Sequence, residues 1–230
     1  MYFPIPPQSM MFMGETPETF ISNGDIMLDH IWDRLNQPLA SVLDIGCGYG
    51  RLAHALARRG FRGRYLGVDV LEKPIAWLQS NFTKAMPAFE FKHIDIHNGR
   101  YNTGGSVKAG DFDLDFVDFT PDLVLILSVF THMYQDDIVS YLNAIRGVSG
   151  DNTLVAATFF LTGSPALRSF NFPHTMSPHC RFHSTKDPLH AIAYDETWLR
   201  SQFDKVGFDG PVKYWFQDIM FLRPTKPAAG

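Results

Sequence analysis

The sequence predicts a doubly wound α/β domain, and three observations predict it. Short apolar runs alternate with helix-patterned segments, as βα units on a mostly parallel sheet require. A glycine turn, Gly46-Cys47-Gly48-Tyr49-Gly50, joins one apolar run to an amphipathic segment. Hydrophobic residues make up 45% of the 230 and charged residues 19%, enough for a packed core. No repeat, low-complexity tract or linker divides the chain. A single domain over 1–230 is expected, in four parts: an N-terminal segment (1–38), a core (39–161), an insert (162–193), and a closing helix with strands (194–224).

Each element follows from local pattern. Leu28, Ile31, Trp32 and Leu35 fall at i, i+3, i+4 and i+7, so residues 25–36 read as an amphipathic helix. Ser41 to Ile45 is a short buried strand running into the glycines. Residues 50–59 form a helix with Leu52, Ala55 and Leu56 on one stripe and Gly60 as its stop. Tyr65 to Val70 is the second strand, and Pro74 suits the first turn of the next helix. Phe89 to Ile96 is the third strand, followed by a long connection to Pro121. Asp122 to Val129 is the fourth strand, residues 134–146 a helix, and Leu154 to Leu161 the fifth strand. Residues 162–193 are a Pro- and His-rich excursion. Asp195 caps a helix that stops before Gly207, and VKYWFQDIMFL supplies one or two closing strands.

Charge and cysteine content exclude several classes of function. Twenty basic against twenty-four acidic side chains give a net charge of −4, which disfavours phosphate backbones and anionic membranes as partners. Two cysteines, Cys47 and Cys180, make no disulfide framework and suit a reducing cytoplasm. The N-terminus lacks a basic start and is broken by Pro4, Pro6 and Pro7, so it does not read as a signal peptide. The run Leu123 to Phe130 falls far short of the roughly 20 residues that span a bilayer. A soluble, cytoplasmic protein with a small-molecule partner is expected. Oligomeric state is left open.

The glycine turn is the sharpest chemical signal. Glycine at alternating positions lets the backbone approach a ligand and adopt positive φ. A dinucleotide fingerprint would need its third glycine where Arg51 stands, so G-x-G-x-x-G fails. The G-x-G-x-G spacing, with Asp44 two residues before it and Asp69 ending the strand GVDV, resembles the class I S-adenosylmethionine-dependent methyltransferases. Further segments are similar to a bacterial branch of that family: His93-Ile94-Asp95-Ile96, Ser128-Val129-Phe130-Thr131-His132-Met133, Ala157-Thr158-Phe159-Phe160-Leu161, Ala193-Tyr194-Asp195-Glu196 and Gln217-Asp218-Ile219. The resemblance covers most of residues 40–222. It implies a seven-stranded, Rossmann-like, mostly parallel sheet with an antiparallel closing strand, and S-adenosyl-L-methionine as cofactor. It also implies a cofactor site of Asp44, Gly46, Gly48, Gly50, Arg51, Asp69, Asp95, Ile96 and Ser128. In that site Asp44 would reach the amino group of the methionine end, Arg51 its carboxylate, Asp69 the ribose hydroxyls, and Asp95 the exocyclic amine of the adenine. Cys47 reads as a small packed side chain.

The acceptor is less legible. Ser128-Val129-Phe130-Thr131 lacks the proline pair of the enzymes that methylate nucleic-acid amino groups, and Ser128 stands where cation-dependent catechol enzymes place an acid. An alcohol acceptor benefits from a base, and histidine suits that work near neutrality. His132, after the fourth strand, is the leading candidate, although it could instead cap the next helix. His174 in the insert is the second. The expected reaction is O-methylation of a small polar metabolite or sugar hydroxyl. A nicotinamide-dependent oxidoreductase and a non-catalytic binding subunit on the same fold are the alternatives.

Four other patterns carry weaker readings. His174, His179, Cys180 and His183 offer four metal ligands but match no standard zinc spacing, and no metal is expected. Asp111-Phe112-Asp113-Leu114-Asp115-Phe116 fails the calcium-loop pattern and reads as a half-buried extended segment. Arg51, Arg58, Arg59, Arg62 and Arg64 read as a solvated face. Phe12, Phe130, Phe170, Phe172 and Phe182 lie in segments expected near the pocket mouth, where packing is the plainer account, and shielding the transfer from water or stacking against a sugar the sharper ones.

Overall fold

The computed structural model describes residues 3–11, 16–35, 37–167 and 170–225. Phe12 and the end of the expected first helix at Asn36 lie outside them. The chain divides into two compact units, Met1–Ile94 and Asp95–Gly230. Its elements alternate as α/β folds do, and the fold class is as expected.

In the first unit, helix α1 (Pro17–Trp32) begins earlier than its apolar stripe suggests, and it ends at Trp32. Its start is set by a reciprocal capping box. Thr19 N–H donates to Thr16 Oγ1 at 3.3 Å and Thr16 N–H to Thr19 Oγ1 at 2.8 Å, with Pro17 at the first position. Such a cap contributes ~1 kcal/mol. The helix buries Phe20, Gly24, Leu28 and Ile31. A Cβ on Gly24 would stand 2.9 Å from the Arg51 carbonyl oxygen, so glycine is what lets α1 close onto α2 (Arg51–Arg58). The arginine face is not purely solvated. Arg58 pairs with Asp25 at 2.6 Å and Arg59 with Asp29, tying the two helices together.

Strands β1 (Ser41–Ile45), β2 (Arg64–Asp69) and β3 (Phe89–His93) are parallel, with Asp44 opposite Gly67 and Asp69 opposite His93. β1 and β2 are almost wholly buried, whereas β3 alternates buried and exposed residues. Helix α3 (Glu72–Ala85) covers β3 through Ile75, Leu78 and Phe82. The third strand stops at His93, short of the expected Ile96. Beyond it, Ile96 makes only an isolated bridge to Val107.

In the second unit, β4 (Leu123–Ile126) is shorter than expected, because Ser128 takes φ 57° and the chain turns into a 3-10 turn at Phe130–His132. Helix α4 (Gln135–Val148) follows. β5 (Leu154–Leu161) is buried throughout. One edge of β5 pairs in parallel with β4. The other is shared between β8 (Ile192–Tyr194), parallel at Phe160 and Leu161, and β11 (Asp218–Pro224), antiparallel from Val155 to Phe159.

The insert is more ordered than its Pro- and His-rich sequence suggests. β6 (His174–Ser177) and β7 (Cys180–Phe182) form a hairpin that pairs onto β8 and widens the sheet. Helix α5 (Glu196–Val206) is capped as expected: Asp195 Oδ1 accepts from Trp198 N–H at 2.8 Å, and Gly207 at φ 87° ends it. The closing segment supplies β9 (Phe208–Asp209) and β10 (Val212–Lys213), both paired with β11. Eleven strands form among the described residues, β1 to β3 in the first unit and β4 to β11 in the second, more than the seven implied by the sequence, because the insert and the closing segment add short ones.

The acidic stretch at 111–115 alternates as read. Phe112 and Leu114 are buried between exposed aspartates, and Phe112 stacks on Tyr141 at 3.7 Å between centroids. No helix among the described residues is long and apolar enough to cross a membrane.

Candidate active site

The glycine turn of the first unit is built around Asp69. Gly46, Gly48 and Gly50 have φ of 77°, 53° and 79°, a region side-chain-bearing residues seldom adopt. Gly46 and Cys47 N–H donate to the Val68 carbonyl at 2.8 and 3.1 Å, which pins the turn to the end of β2. Gly48 N–H then donates to Asp69 Oδ2 at 2.7 Å, and Leu71 N–H to Asp69 Oδ1 at 2.8 Å. Burial pushes the Asp69 carboxyl up, and these two donors pull it back down. A carboxylate has about four lone-pair sites, so acceptor capacity remains for a vicinal diol. A Cβ on Gly50 would press on the tip of Leu78 at 2.7 Å, a side chain that can shift, so it is the positive φ that calls for glycine here.

Asp44 has a partner that its spacing did not suggest. It is buried, Tyr65 donates its hydroxyl to Asp44 Oδ2, and burial pushes the Asp44 carboxyl up to about 7. Cys47 is buried too, and its thiol is pushed well up, as a packed side chain's would be. Arg51 opens α2 and leans onto α1, with Nη1 3.8 Å from the Met27 sulfur.

In the second unit, Ser128 is held from both sides. Its N–H donates to Thr158 Oγ1 at 2.7 Å and its hydroxyl to Gln217 Oε1 at 2.8 Å. Thr158 donates to the same Gln217 oxygen at 2.9 Å. This network over-determines the positive φ at Ser128 and so sets the turn carrying His132. Asp95 is exposed and serves its own loop, accepting from Ser106 Oγ at 2.6 Å, Ser106 N–H at 3.1 Å and Asn102 Nδ2 at 3.3 Å. Ile96 is buried beside it.

His132 sits inside a closed ring of contacts. Its Nδ1 lies 2.9 Å from the Leu189 carbonyl oxygen, so Nδ1 carries the proton and Nε2 keeps its lone pair. Tyr101 meets the imidazole edge-on at 5.4 Å. The turn bearing Tyr101 is organised by Asn98, whose Oδ1 accepts from Arg100 and Tyr101 N–H at 2.9 and 3.0 Å. Asn98 Nδ2 donates to the His132 carbonyl at 3.3 Å. Arg100 pairs with Asp187, at the start of the turn that supplies Leu189, and the ring closes. Burial lowers the His132 pKa, with Arg100 and His190 acting in the same direction. The backbone at Leu189 and His190 partly offsets this. The imidazole is neutral at neutral pH and presents an acceptor nitrogen, which is the state a general base needs.

His174 is placed differently. It lies on β6, the outermost strand, with its ring against Phe182 at 5.1 Å. The four candidate metal ligands are separately engaged: His179 stacks with Trp198, the Cys180 sulfur sits 3.8 Å from that of Met176, and His183 Nδ1 lies 2.7 Å from the Asn171 carbonyl. Among the described residues no three His, Cys, Asp or Glu side chains converge. Sequence reasoning missed Asn98, Arg100, Tyr101 and Asp187. They stand in loops, and the one available signal was an Asn two residues before an Arg, the spacing of an Asx turn.

Residues 42–150 match a family model described as "Methyltransferase domain", the stretch that holds the glycine turn, Asp69 and His132. The chain thus carries a methyltransferase domain over residues 42–150. Its fold is similar to that of the PH0226 protein from Pyrococcus horikoshii OT3, at 16% identity, 92% of this chain, 93% of that one and a TM-score of 0.64. It is also similar to the glycopeptide N-methyltransferase MtfA complexed with S-adenosylmethionine (13% identity, 88% and 94% coverage, TM-score 0.60). A third likeness is to magnesium protoporphyrin IX methyltransferase from Synechocystis PCC 6803 with bound S-adenosylmethionine (15%, 89% and 79%, 0.55).

Proposed function

We propose that this methyltransferase acts on a hydroxyl of a small polar metabolite or a sugar, with His132 as general base. The observation that carries the proposal is the Nδ1 contact to the Leu189 carbonyl, which leaves Nε2 of a neutral imidazole as a proton acceptor. S-adenosylmethionine, when bound, would supply an electrophilic methyl group with its thioether product as the leaving group. His132 Nε2 would take the acceptor's hydroxyl proton as the oxygen forms its bond to that methyl. Asp69 accepts the ribose hydroxyls, and Asp44, Arg51 and the turn glycines hold the methionine end. Asp95, Ile96 and Ser128 serve the adenine and methyl side. His174, on the outer strand with its ring against Phe182, ranks behind His132 as the second candidate for the base.

The pH profile of methyl transfer tests this reading. With S-adenosylmethionine saturating throughout, kcat/KM for hydroxyl acceptors should hold its plateau below pH 6.5 and fall only at more acid pH, because the base has a lowered pKa and acts unprotonated. Turnover confined to amines would overturn it.

A second expectation concerns Asp44. Its carboxyl titrates at about 7, and it pairs with an ammonium only when ionised. S-adenosylmethionine affinity, measured by calorimetry, should therefore rise between pH 6 and 8, and the rise should vanish in Asp44→Asn.

A further inference from the structure

One patch of the second unit has no part in the base reading. Phe160 and Phe172 are buried and form a floor. Phe170 lies nearly parallel on Phe160, with centroids 5.3 Å apart and planes at 14°. Phe216 stands edge-on to both Phe160 and Phe170, at 6.1 and 6.3 Å, and is 50% exposed. His183 and His190 flank Phe170 at 4.9 and 6.3 Å and lie 5.6 Å from each other. His190 directly follows Leu189, whose carbonyl anchors His132. The ring wall therefore begins one residue from the anchor of the base.

Two properties decide what such a wall accepts. Its surface is made of π-faces and edges, which favour a flat ring in offset or edge-on contact. One side of its border carries Arg100, His183 and His190, with Asp187 paired to Arg100, and the buried Asp218 on the other side is engaged by Ser164 and by the Leu161 and Trp215 N–H groups. The Arg100 charge reaches both His132 and His190, lowering the pKa of each. A sugar would need several carboxylate or amide partners for its hydroxyls, and burying those hydroxyls without partners is costly.

We infer that the methyl acceptor is a planar aromatic hydroxyl compound carrying an acidic group, with its ring on Phe170 and Phe216 and its acid toward Arg100 and His190. This rests on the proposed O-methylation beside His132 and narrows the acceptor class.

Calorimetric titration of the full chain, saturated with S-adenosylhomocysteine, tests it without requiring turnover. The probes are 3-hydroxybenzoate, its saturated analogue 3-hydroxycyclohexanecarboxylate, and a methyl glucoside. The aromatic acid should bind about tenfold more tightly than the saturated one, with the glucoside weaker still. Phe216→Ala, at an exposed position, should weaken the aromatic acid about fivefold and leave S-adenosylhomocysteine affinity unchanged. Equal or tighter binding of the saturated acid or the glucoside would overturn the inference. So would an unaffected Phe216→Ala, or no binding of any probe by protein that binds S-adenosylhomocysteine. His132→Ala measured in parallel separates the two readings: full methyl transfer with the aromatic preference intact would sink the base role alone.

Discussion

His132→Ala is expected to lower turnover with a hydroxyl acceptor by about 10²- to 10⁴-fold, the usual contribution of a positioned base. Affinity for S-adenosylhomocysteine should change little, because the side chain is held by its own unit's loops through Leu189, Tyr101 and Asn98. The pairing of lost kcat with retained cofactor affinity is what separates a base from a packing residue. His132→Gln sharpens the comparison, since an amide restores the hydrogen bond to the Leu189 carbonyl and supplies no base. Both variants should therefore be slow. Recovery of turnover in His132→Gln would show that the imidazole matters only as a hydrogen-bonded prop.

Asp69→Ala is expected to weaken S-adenosylmethionine binding by about 10- to 100-fold. Hydrogen bonds to a charged group contribute roughly 1.5–3 kcal/mol each, and a factor of ten is about 1.4 kcal/mol. The variant also leaves Gly48 and Leu71 N–H without their acceptor, so a fall in thermal stability should accompany the loss. A purely structural Asp69 would show that fall alone. Titration of folded protein well below its melting point distinguishes the two, and unchanged affinity there would remove the ribose assignment.

Much of the first unit was legible because its signals are local. The glycine triplet takes positive φ at alternating positions, and the short buried runs Ser41–Ile45 before it and Arg64–Asp69 after the following helix read as strands. The start of α1 was not read, because Thr16-Pro17 lies outside the apolar stripe and the reading followed the stripe. The insert was read as irregular because His174–Ser177 and Cys180–Phe182 are short and interrupted by Pro178. They become strands by pairing with each other and, through the second, with β8, which a single segment cannot reveal. The arginine cluster illustrates the same limit, since the partners of Arg58 and Arg59 lie some thirty positions away.

The donor side and the acceptor side of this enzyme thus differ in how they are encoded. Fold class, glycine turn and Asp69 follow from the chain read locally, since backbone conformation and strand burial depend on neighbours in sequence. The orientation of His132 depends on groups from two distant loops: the Leu189 carbonyl and the Asn98 amide, with the Arg100–Asp187 pair tying those loops together. The aromatic wall likewise unites Phe160, Phe170 and Phe216, which no spacing connects. A proton's position on an imidazole, and a ring's exposure, are set by whatever folding brings against them, and only the packed chain contains that information.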